Sequence, residues 1–217
     1  MRTVAELIDR KEPAWPLVQQ WIGEASVGVE VLAADPAAGD AALHATQVTT
    51  RSPLGAIAQN AAGIFIDNGW LRVLGAGKHP RFQRSLPEWN EGRSNRFFLV
   101  ADDAVGGFFA INGGALGEDL GKLYFYAPDS LRWEPCGLGY SQFLVWAMSE
   151  KLHAFYESLR WDDWASEVKH LSGDQAINIY PFLWAKGPPI QERHRGPVPV
   201  AEQWGLQLDL QRQLDGH

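Results

Sequence analysis

Residues 96–135 read RFFLVADDAVGGFFAINGGALGEDLGKLYFYAPDSLRWEP. Short segments rich in Gly, Asp and Pro separate four apolar runs, at residues 96–101, 107–112, 122–127 and 131–135. Turns of this composition at roughly ten-residue intervals are typical of successive antiparallel strands. Because connections this short make neighbouring strands pair, the stretch predicts a β-meander.

Two glycine pairs, Gly106-Gly107 and Gly113-Gly114, flank the second run. A phosphate-binding loop would lead into a helix, whereas the next regular element here is the strand KLYFYA, so we interpret both pairs as turns. Within the run, Phe108 and Phe109 point to opposite faces of the sheet. Both faces therefore carry apolar bulk, and each must be covered by the protein's own helices or by another chain.

The flanking regions predict further strands and mainly helices. Asn68-Gly69 favours a type I′ turn between strands at 63–67 and 70–74, and residues 29–34 form another strand. Helices are expected at residues 3–9, from Pro13 onward and at 36–48, and a long loop at 75–95.

Beyond the meander the period becomes helical. Ser141 is expected to N-cap one helix carrying Leu144, Met148, Leu152, Phe155 and Leu159 on a single face. A second helix is expected at 162–171, a strand at 176–184 and a surface loop at 187–199. Residues 200–214 fit a strand or a helix, and we favour the helix.

These elements predict an α+β fold, with an antiparallel meander packed against helices. We expect residues 1–217 to form one domain. It would comprise an N-terminal helical segment at 1–50, a central sheet at 63–135, and C-terminal helices and tail at 141–217.

Composition narrows the function. A net charge of −7 with a pI near 5.3 argues against a nucleic-acid partner and suits a basic protein partner, or solubility alone. No apolar run is long enough to span a membrane, and no signal peptide is recognisable. Since Cys136 is the single cysteine, we expect a reducing compartment, the cytoplasm.

Motifs for catalysis are incomplete. Gly77-Lys78 lacks the rest of a phosphate loop, and Ser141 sits in an elbow-like pattern whose last glycine is replaced by Phe143. The six histidines are scattered without metal-ligand spacing, and Cys136 has no neighbour that would lower its pKa. We therefore assign no catalytic, cofactor or metal residue and expect no cofactor.

Acidic residues are interpreted as turns of the meander. Asp102 and Asp103 are expected in one turn of the meander, and Glu118 and Asp119 in the next turn along the chain. Because successive turns lie at opposite ends of the sheet, the two pairs are expected on different rims unless loop 113–121 folds back. They are solvated turns or contacts for a basic partner. The full set of candidate partner-contact residues is Asp102, Asp103, Glu118, Asp119, Trp70 and Arg72.

The order FFLVADD, GGFFAIN, GKLYFYAPDSLRWEP, YSQFLVWAM resembles the SUKH (Smi/Knr-like) superfamily over about residues 63–159. Phe109, Tyr124, Trp133 and Phe143 occupy its characteristic places. The resemblance implies one α+β domain that binds without a cofactor; many members are immunity proteins that neutralise toxins, often basic nucleases. More closely, the meander and the tail WGLQLDL resemble an uncharacterised bacterial domain family, which implies no function.

Three functions follow as hypotheses. The first is a non-enzymatic, protein-binding module of the immunity type, whose partner is a basic toxin. The second is an enzyme or small-ligand binder with a pocket between sheet and helices, using Arg72, His79, Asp102 and Asp103. The third is a homo-oligomer that associates through exposed Trp residues.

Overall fold

A seven-stranded antiparallel sheet forms the centre of the computed structural model, which describes residues 1–216. Its strands lie side by side in chain order. They are β1 (Val29–Ala33), β2 (Ala61–Ile66), β3 (Leu71–Leu74), β4 (Phe97–Asp103), β5 (Phe108–Asn112), β6 (Lys122–Ala127) and β7 (Arg132–Gly139). The predicted meander is therefore confirmed, and it extends to both sides of the predicted 63–135.

Helices precede, interrupt and follow the sheet. They are α1 (Val4–Leu7), α2 (Trp15–Gly23), α3 (Pro36–Thr46), α4 (Pro53–Asn60), α5 (Leu86–Asn90), α6 (Tyr140–Ala147), α7 (Lys151–Tyr156), α8 (Trp164–Lys169) and α9 (Val200–Asp215). Short 3₁₀ turns occupy Glu157–Leu159 and Ile190–Glu192, and β8 (Gln175–Tyr180) pairs with β9 (His194–Pro199) as a separate hairpin. The fold is an α+β single domain.

Pairing between strands aligns one residue of every strand in a row on each face of the sheet. One row, on what we call the Phe108 face, is Glu30, Phe65, Arg72, Asp102, Phe108, Tyr126 and Trp133. The other, on the Phe109 face, is Val31, Ile64, Val73, Ala101, Phe109, Phe125 and Glu134.

Both faces are covered by the chain's own elements. The Phe108 ring centroid lies 4.7 Å from that of Trp204 in α9 and 6.4 Å from that of Trp89 in α5. On the other face, the Phe109 ring lies 4.8 Å from Phe143 in α6 and 6.5 Å from Phe155 in α7. The central strand thus needs no second chain to bury its aromatic side chains.

The β8–β9 hairpin packs on the Phe108 face near β3. The amide of Ile177 donates to the carbonyl of Ala104 over 2.7 Å, and that of Gly173 donates to Arg81 over 2.7 Å. Phe82 is inserted between Gly63 of β2 and Gly173, where a Cβ at either glycine would overlap its ring. The missing side chains allow the hairpin to approach the sheet this closely.

The β2–β3 hairpin is confirmed. Asn68 and Gly69 have φ angles of 59° and 84°, and the amide of Trp70 donates to the carbonyl of Asp67 over 3.0 Å. With this bond, the two φ angles fit a type I′ turn at Asn68-Gly69, and Asp67 before it also has a positive φ of 52°. The tail is also the expected helix, α9, while the terminal His217 of the predicted domain lies outside the described residues.

Asp102 and Asp103 correct the prediction of an acidic turn. Both are the last residues of β4 and are fully buried, and the turn follows at residues 104–107, where Gly106 has a φ of 92°. Asp102 is neutralised by arginines and the carboxylate of Asp103 accepts the turn's own amides, so pairing offsets the usual cost of burying a carboxylate.

The single long helix predicted from Ser141 is also corrected. Gly139 rather than Ser141 is the N-cap residue, and the helix ends at Ala147 before α7 begins at Lys151. The hydroxyl of Ser149 donates to the carbonyl of Trp146 over 2.7 Å, which competes with the helical pattern at the break. In addition, the predicted loops at 75–95 and 187–199 contain α5 and β9.

Candidate binding pocket

A cavity of about 270 Å³ opens between the Phe109 face of the sheet and helices α6 and α7. Its walls are aromatic, and we call it the aromatic pocket: Phe109, Phe125, Phe143, Trp146 and Phe155. The remaining lining comes from β7, which is the edge strand of the sheet: Glu134, Pro135, Cys136 and Leu138.

The walls are held by contacts among the rings themselves. The centroids of Phe109 and Phe125, on neighbouring strands, are 4.7 Å apart, and Phe155 lies 5.1 Å from Phe125. Trp146 lies 5.1 Å from Phe155 at an interplanar angle of 90°. Since each ring packs edge or face against another, the pocket is shaped before anything enters it.

Polar chemistry at the pocket is confined to its rim on β7. Glu134 is exposed, and its Oε1 accepts a hydrogen bond from the hydroxyl of Ser130 over 2.9 Å. Cys136 is half-buried, and burial, with a smaller effect of Glu134, raises the pKa of its thiol to about 12. The thiol therefore stays protonated at neutral pH and is a poor nucleophile.

A shallower groove runs beside the pocket and shares Leu138 and Trp146 with it. We call it the side groove; its volume is about 460 Å³, and its apolar lining also includes Trp21 of α2 and Val145 of α6. Val145 and Phe155 are 46% and 41% exposed, which is high for large apolar side chains. The groove is also lined by Ser141, Gln142, Ser149 and Lys151, so the pocket and groove together form a mainly apolar surface with polar residues on the groove side.

Arg72 and Asp102, predicted as site residues, meet inside the protein. Asp102 Oδ1 lies 2.5 Å from Arg72 Nη2, and its Oδ2 lies 2.5 Å from Arg84 Nη1. Arg72 also donates to the carbonyl of Gln175, and Arg84 donates to that of Gly173 over 2.7 Å. This buried Arg–Asp–Arg triad joins β3, β4 and the hairpin, and burial lowers the pKa of Arg84.

Asp103 faces the opposite side of the sheet. Its Oδ1 accepts the amides of Val105 and Gly107 over 2.9 and 2.7 Å, and its Oδ2 accepts the hydroxyl of Tyr156 in α7 over 3.0 Å. Burial raises the pKa of this carboxyl to about 6, despite those hydrogen bonds. The side chain closes the β4–β5 turn and fastens it to α7.

Burial excludes four of the six predicted contact residues from any surface in this conformation. Trp70, Arg72, Asp102 and Asp103 are each at most 1% exposed. Trp70 packs in an aromatic group with Tyr156, Trp161 and Trp164, with the guanidinium of Arg160 above it. These residues therefore stabilise the interior, which corrects their assignment as partner contacts.

Glu118 and Asp119 are exposed, as expected, and lie at the other end of the strands from Asp102 and Asp103. Asp119 accepts the hydroxyl of Tyr124 over 2.7 Å, a hydrogen bond that lowers its pKa, and it thereby holds loop 113–121. His79 lies in a separate turn, where its Nδ1 accepts the amide of Arg81 over 3.2 Å. The structure thus does not gather the predicted residues into one site.

The residues of this pocket were not predicted, because Phe109 and Phe155 were interpreted only as apolar side chains of a sheet face and of a helix face. One usable signal existed: strand alternation places Glu134 and Cys136 of β7 on the same face. Their clustering with helix α7, however, depends on where the break at residues 148–150 turns the chain.

Two further kinds of site are absent from residues 1–216. Within this range no three His, Cys, Asp or Glu side chains are grouped so as to hold a metal ion. None of the described helices combines the length and the apolar character needed to cross a bilayer.

Comparison with known proteins places the chain among bacterial relatives. Its sequence is 41% identical over 213 residues to the uncharacterized protein YbfG of Escherichia coli K12, covering 97% of each chain. It is 37% identical over 190 residues to an uncharacterized protein of Haemophilus influenzae Rd, covering 84% of this chain and 83% of the relative. The family described as protein of unknown function DUF2625 matches residues 4–203. Because that match spans nearly the whole sequence, the chain belongs to the DUF2625 family.

Proposed function

We propose that the protein is a non-enzymatic binding module that holds a protein partner through the aromatic pocket and the side groove. The observation that carries this proposal is an aromatic-walled cavity flanked by Val145 and Phe155, which are 46% and 41% exposed. Concave apolar sites that receive an anchoring side chain provide most of the energy of many protein interfaces. A thiol that stays protonated argues against Cys136 as a nucleophile.

The finer role that we propose is neutralisation of a toxin in the cytoplasm. The resemblance of the meander to the SUKH superfamily supports an immunity-type function. The net charge of −7 favours a basic partner, since opposite charge accelerates encounter. The single cysteine supports a reducing compartment.

A small apolar ligand is the second candidate. The pocket lies between sheet and helices, where such ligands often bind, but its volume of about 270 Å³ falls just below the roughly 300–1,000 Å³ typical of drug-sized molecules. A group the size of one side chain fits that volume better.

The test is site-specific photocrosslinking in the native host. A benzophenone amino acid replaces Val145 at the side groove and, as control, Leu214 of α9, which is 50% exposed and belongs to the helix that covers the opposite face. We expect one protein to crosslink from position 145 and not from 214. The identified protein, once purified, should bind the wild type and lose at least tenfold in affinity to Val145→Asp.

Several outcomes would contradict the proposal. Equal crosslinking from both positions, no adduct from position 145, or unchanged affinity of Val145→Asp would exclude this surface as the partner site. An adduct with a second copy of the chain would instead assign the surface to self-association. A retained metabolite in place of a protein would favour the small-ligand candidate.

A further inference from the structure

The row of residues on the Phe109 face changes character at its last strand. From β1 to β6 it is apolar throughout, ending in Ala101, Phe109 and Phe125. On β7 the partner of Phe125 is Glu134, which places a carboxylate at the mouth of the aromatic pocket. An apolar residue at this position would continue the pattern, so the carboxylate is the feature that distinguishes the pocket from ordinary core.

Glu134 keeps free acceptor capacity. Its Oε1 accepts one hydrogen bond from Ser130, and within residues 1–216 no cationic nitrogen lies within ion-pair distance of the carboxylate. The nearest basic residue in the strand, Arg132, is paired with Asp215 instead. The carboxylate is thus available to a cation that arrives from outside.

The walls favour the same kind of ligand. Ring faces attract cations, and of the mutually perpendicular Trp146 and Phe155, Phe155 is 41% exposed and Trp146 is partly exposed to a group entering from solvent. The protein already uses this contact internally, since the guanidinium of Arg160 lies 3.9 Å from the ring centroid of Trp164 and 4.8 Å from that of Trp70.

We infer that the aromatic pocket receives an arginine or lysine side chain of a protein partner, whose charged end lies against the rings of Trp146 and Phe155 and beside Glu134. This inference rests on the proposed function and names the chemistry of the anchoring residue. A neutral apolar side chain would leave Glu134 without a partner, and an acidic one would be repelled by it. The acidic net charge of the protein agrees with a basic partner.

The probes for the test are N-acetyl methylamides of arginine, lysine, norleucine and glutamate, which share one backbone and differ in side-chain charge. Binding is followed at fixed ionic strength by NMR of the indole N–H of Trp146, assigned with a Trp146→Phe variant. We expect the arginine and lysine probes to bind about three- to tenfold more tightly than norleucine, and glutamate most weakly. Glu134→Gln should abolish this preference without weakening norleucine binding, whereas the control Glu202→Gln, on the exposed side of α9, should preserve it.

Equal binding of the arginine and norleucine probes, or an unchanged preference in Glu134→Gln, would overturn the inference. Neither result would contradict the proposed function, which the crosslinking experiment tests separately. Absence of any response at Trp146 would overturn it as well. If free n-butylguanidinium binds but the arginine methylamide does not, the ligand is a small organic cation and not a protein side chain. If a partner crosslinked at position 145 binds Glu134→Gln as tightly as the wild type, the interface is supported but the basic anchoring residue is contradicted.

Discussion

Two adjacent carboxylates, Asp102 and Asp103, are buried on opposite faces of the sheet in different environments. Asp102 lies between two guanidinium groups, whereas Asp103 is held by two amides and the hydroxyl of Tyr156. The first is stabilised by opposite charge and the second by hydrogen bonds that only partly offset burial. The two residues should therefore respond differently to removal of their charge.

Asp103 should make the protein less stable as the pH rises through 6. In the folded chain the pKa of its carboxyl is about 6, while in the unfolded chain it takes the ordinary value near 3.9. At pH 5 the folded state therefore holds a proton that the unfolded state has lost, and raising the pH forces a charge into the interior. Relative to Asp103→Asn, the wild type should lose about 1–1.5 kcal/mol of unfolding free energy between pH 5 and pH 7.5.

Urea unfolding of both proteins at the two pH values measures this change. Asp103→Asn keeps an acceptor for the two amides, so its own pH dependence reports the remaining groups. A difference between the two proteins that stays constant from pH 5 to pH 7.5 would show that Asp103 ionises normally.

Asp102→Asn tests the buried triad. The substitution leaves the guanidinium groups of Arg72 and Arg84 in the interior without their shared carboxylate, and removing one partner of a buried ion pair costs about 3–5 kcal/mol. The control is Asp129→Asn in the exposed β6–β7 turn, which should change stability by less than about 0.5 kcal/mol. Chemical denaturation at pH 7.5 gives both values, and a similar small loss in the two variants would contradict an energetic role for the triad.

Among the elements, the β8–β9 hairpin depends most on close approach. Its preceding loop reaches the sheet through Gly173, which packs directly on Phe82, while Gly63 of β2 packs on the other side of the same ring. Hydrogen bonds also fix the orientation of the hairpin, since the carboxylate of Asp174 accepts the amides of Gln83 and Arg84 over 2.7 and 3.2 Å. Apolar fit and hydrogen bonds thus hold the hairpin at one place on the Phe108 face.

Gly173→Ala should weaken this docking. Its methyl group would overlap the ring of Phe82, and overpacking of a well-filled core costs about 1–3 kcal/mol. Gly196→Ala is a matched control in β9 because nothing lies within 4 Å of the added methyl group. The midpoint of thermal unfolding should fall for Gly173→Ala and stay constant or rise slightly for Gly196→Ala; equal midpoints would mean that Phe82 moves aside at little cost.

The elements that the sequence analysis missed carried local signals. Helix α5 begins with a capping box, in which the Ser85 hydroxyl accepts the amide of Glu88 and the Glu88 carboxylate accepts the amide of Ser85. Helix α4 begins with Ser52 followed by Pro53. Both helices are short and lie in segments otherwise rich in turn residues, so no apolar periodicity identified them. Strand β9 contains two prolines and a glycine, which are uncommon in strands, and only its pairing with β8 defines it.

At the scale of the molecule, one sheet is shared by two covering layers. Trp89, Trp133 and Trp204 pack on the Phe108 face, and Trp146 lies on the other. Apart from the small β8–β9 hairpin, neither layer contains a sheet against which its helices could stay packed once the central sheet unfolds. The layers should therefore unfold together.

This coupling predicts one cooperative unfolding transition. Tryptophan fluorescence, which reports both layers, should give the same urea midpoint as far-UV circular dichroism, which reports the sheet and helices. The Trp146→Phe variant provides a control, since it removes the indole at the aromatic pocket, and the midpoints by both probes should still coincide. Two separated transitions would show that one layer detaches before the sheet unfolds.

The amino-acid sequence by itself determined the meander, because turn chemistry and short connections act between neighbours in the chain. Asn68-Gly69, Gly106-Gly107 and the alternation of Phe108 with Phe109 specify hairpins and faces without reference to distant residues. Only the tertiary structure decided what the acidic and aromatic residues do. Asp102 is buried because Arg72 and Arg84 converge on it from other segments, and Glu134 reaches the aromatic pocket because α6 and α7 fold back over β5–β7. The free energy of a charge depends on its surroundings, and those surroundings exist only after the chain has folded.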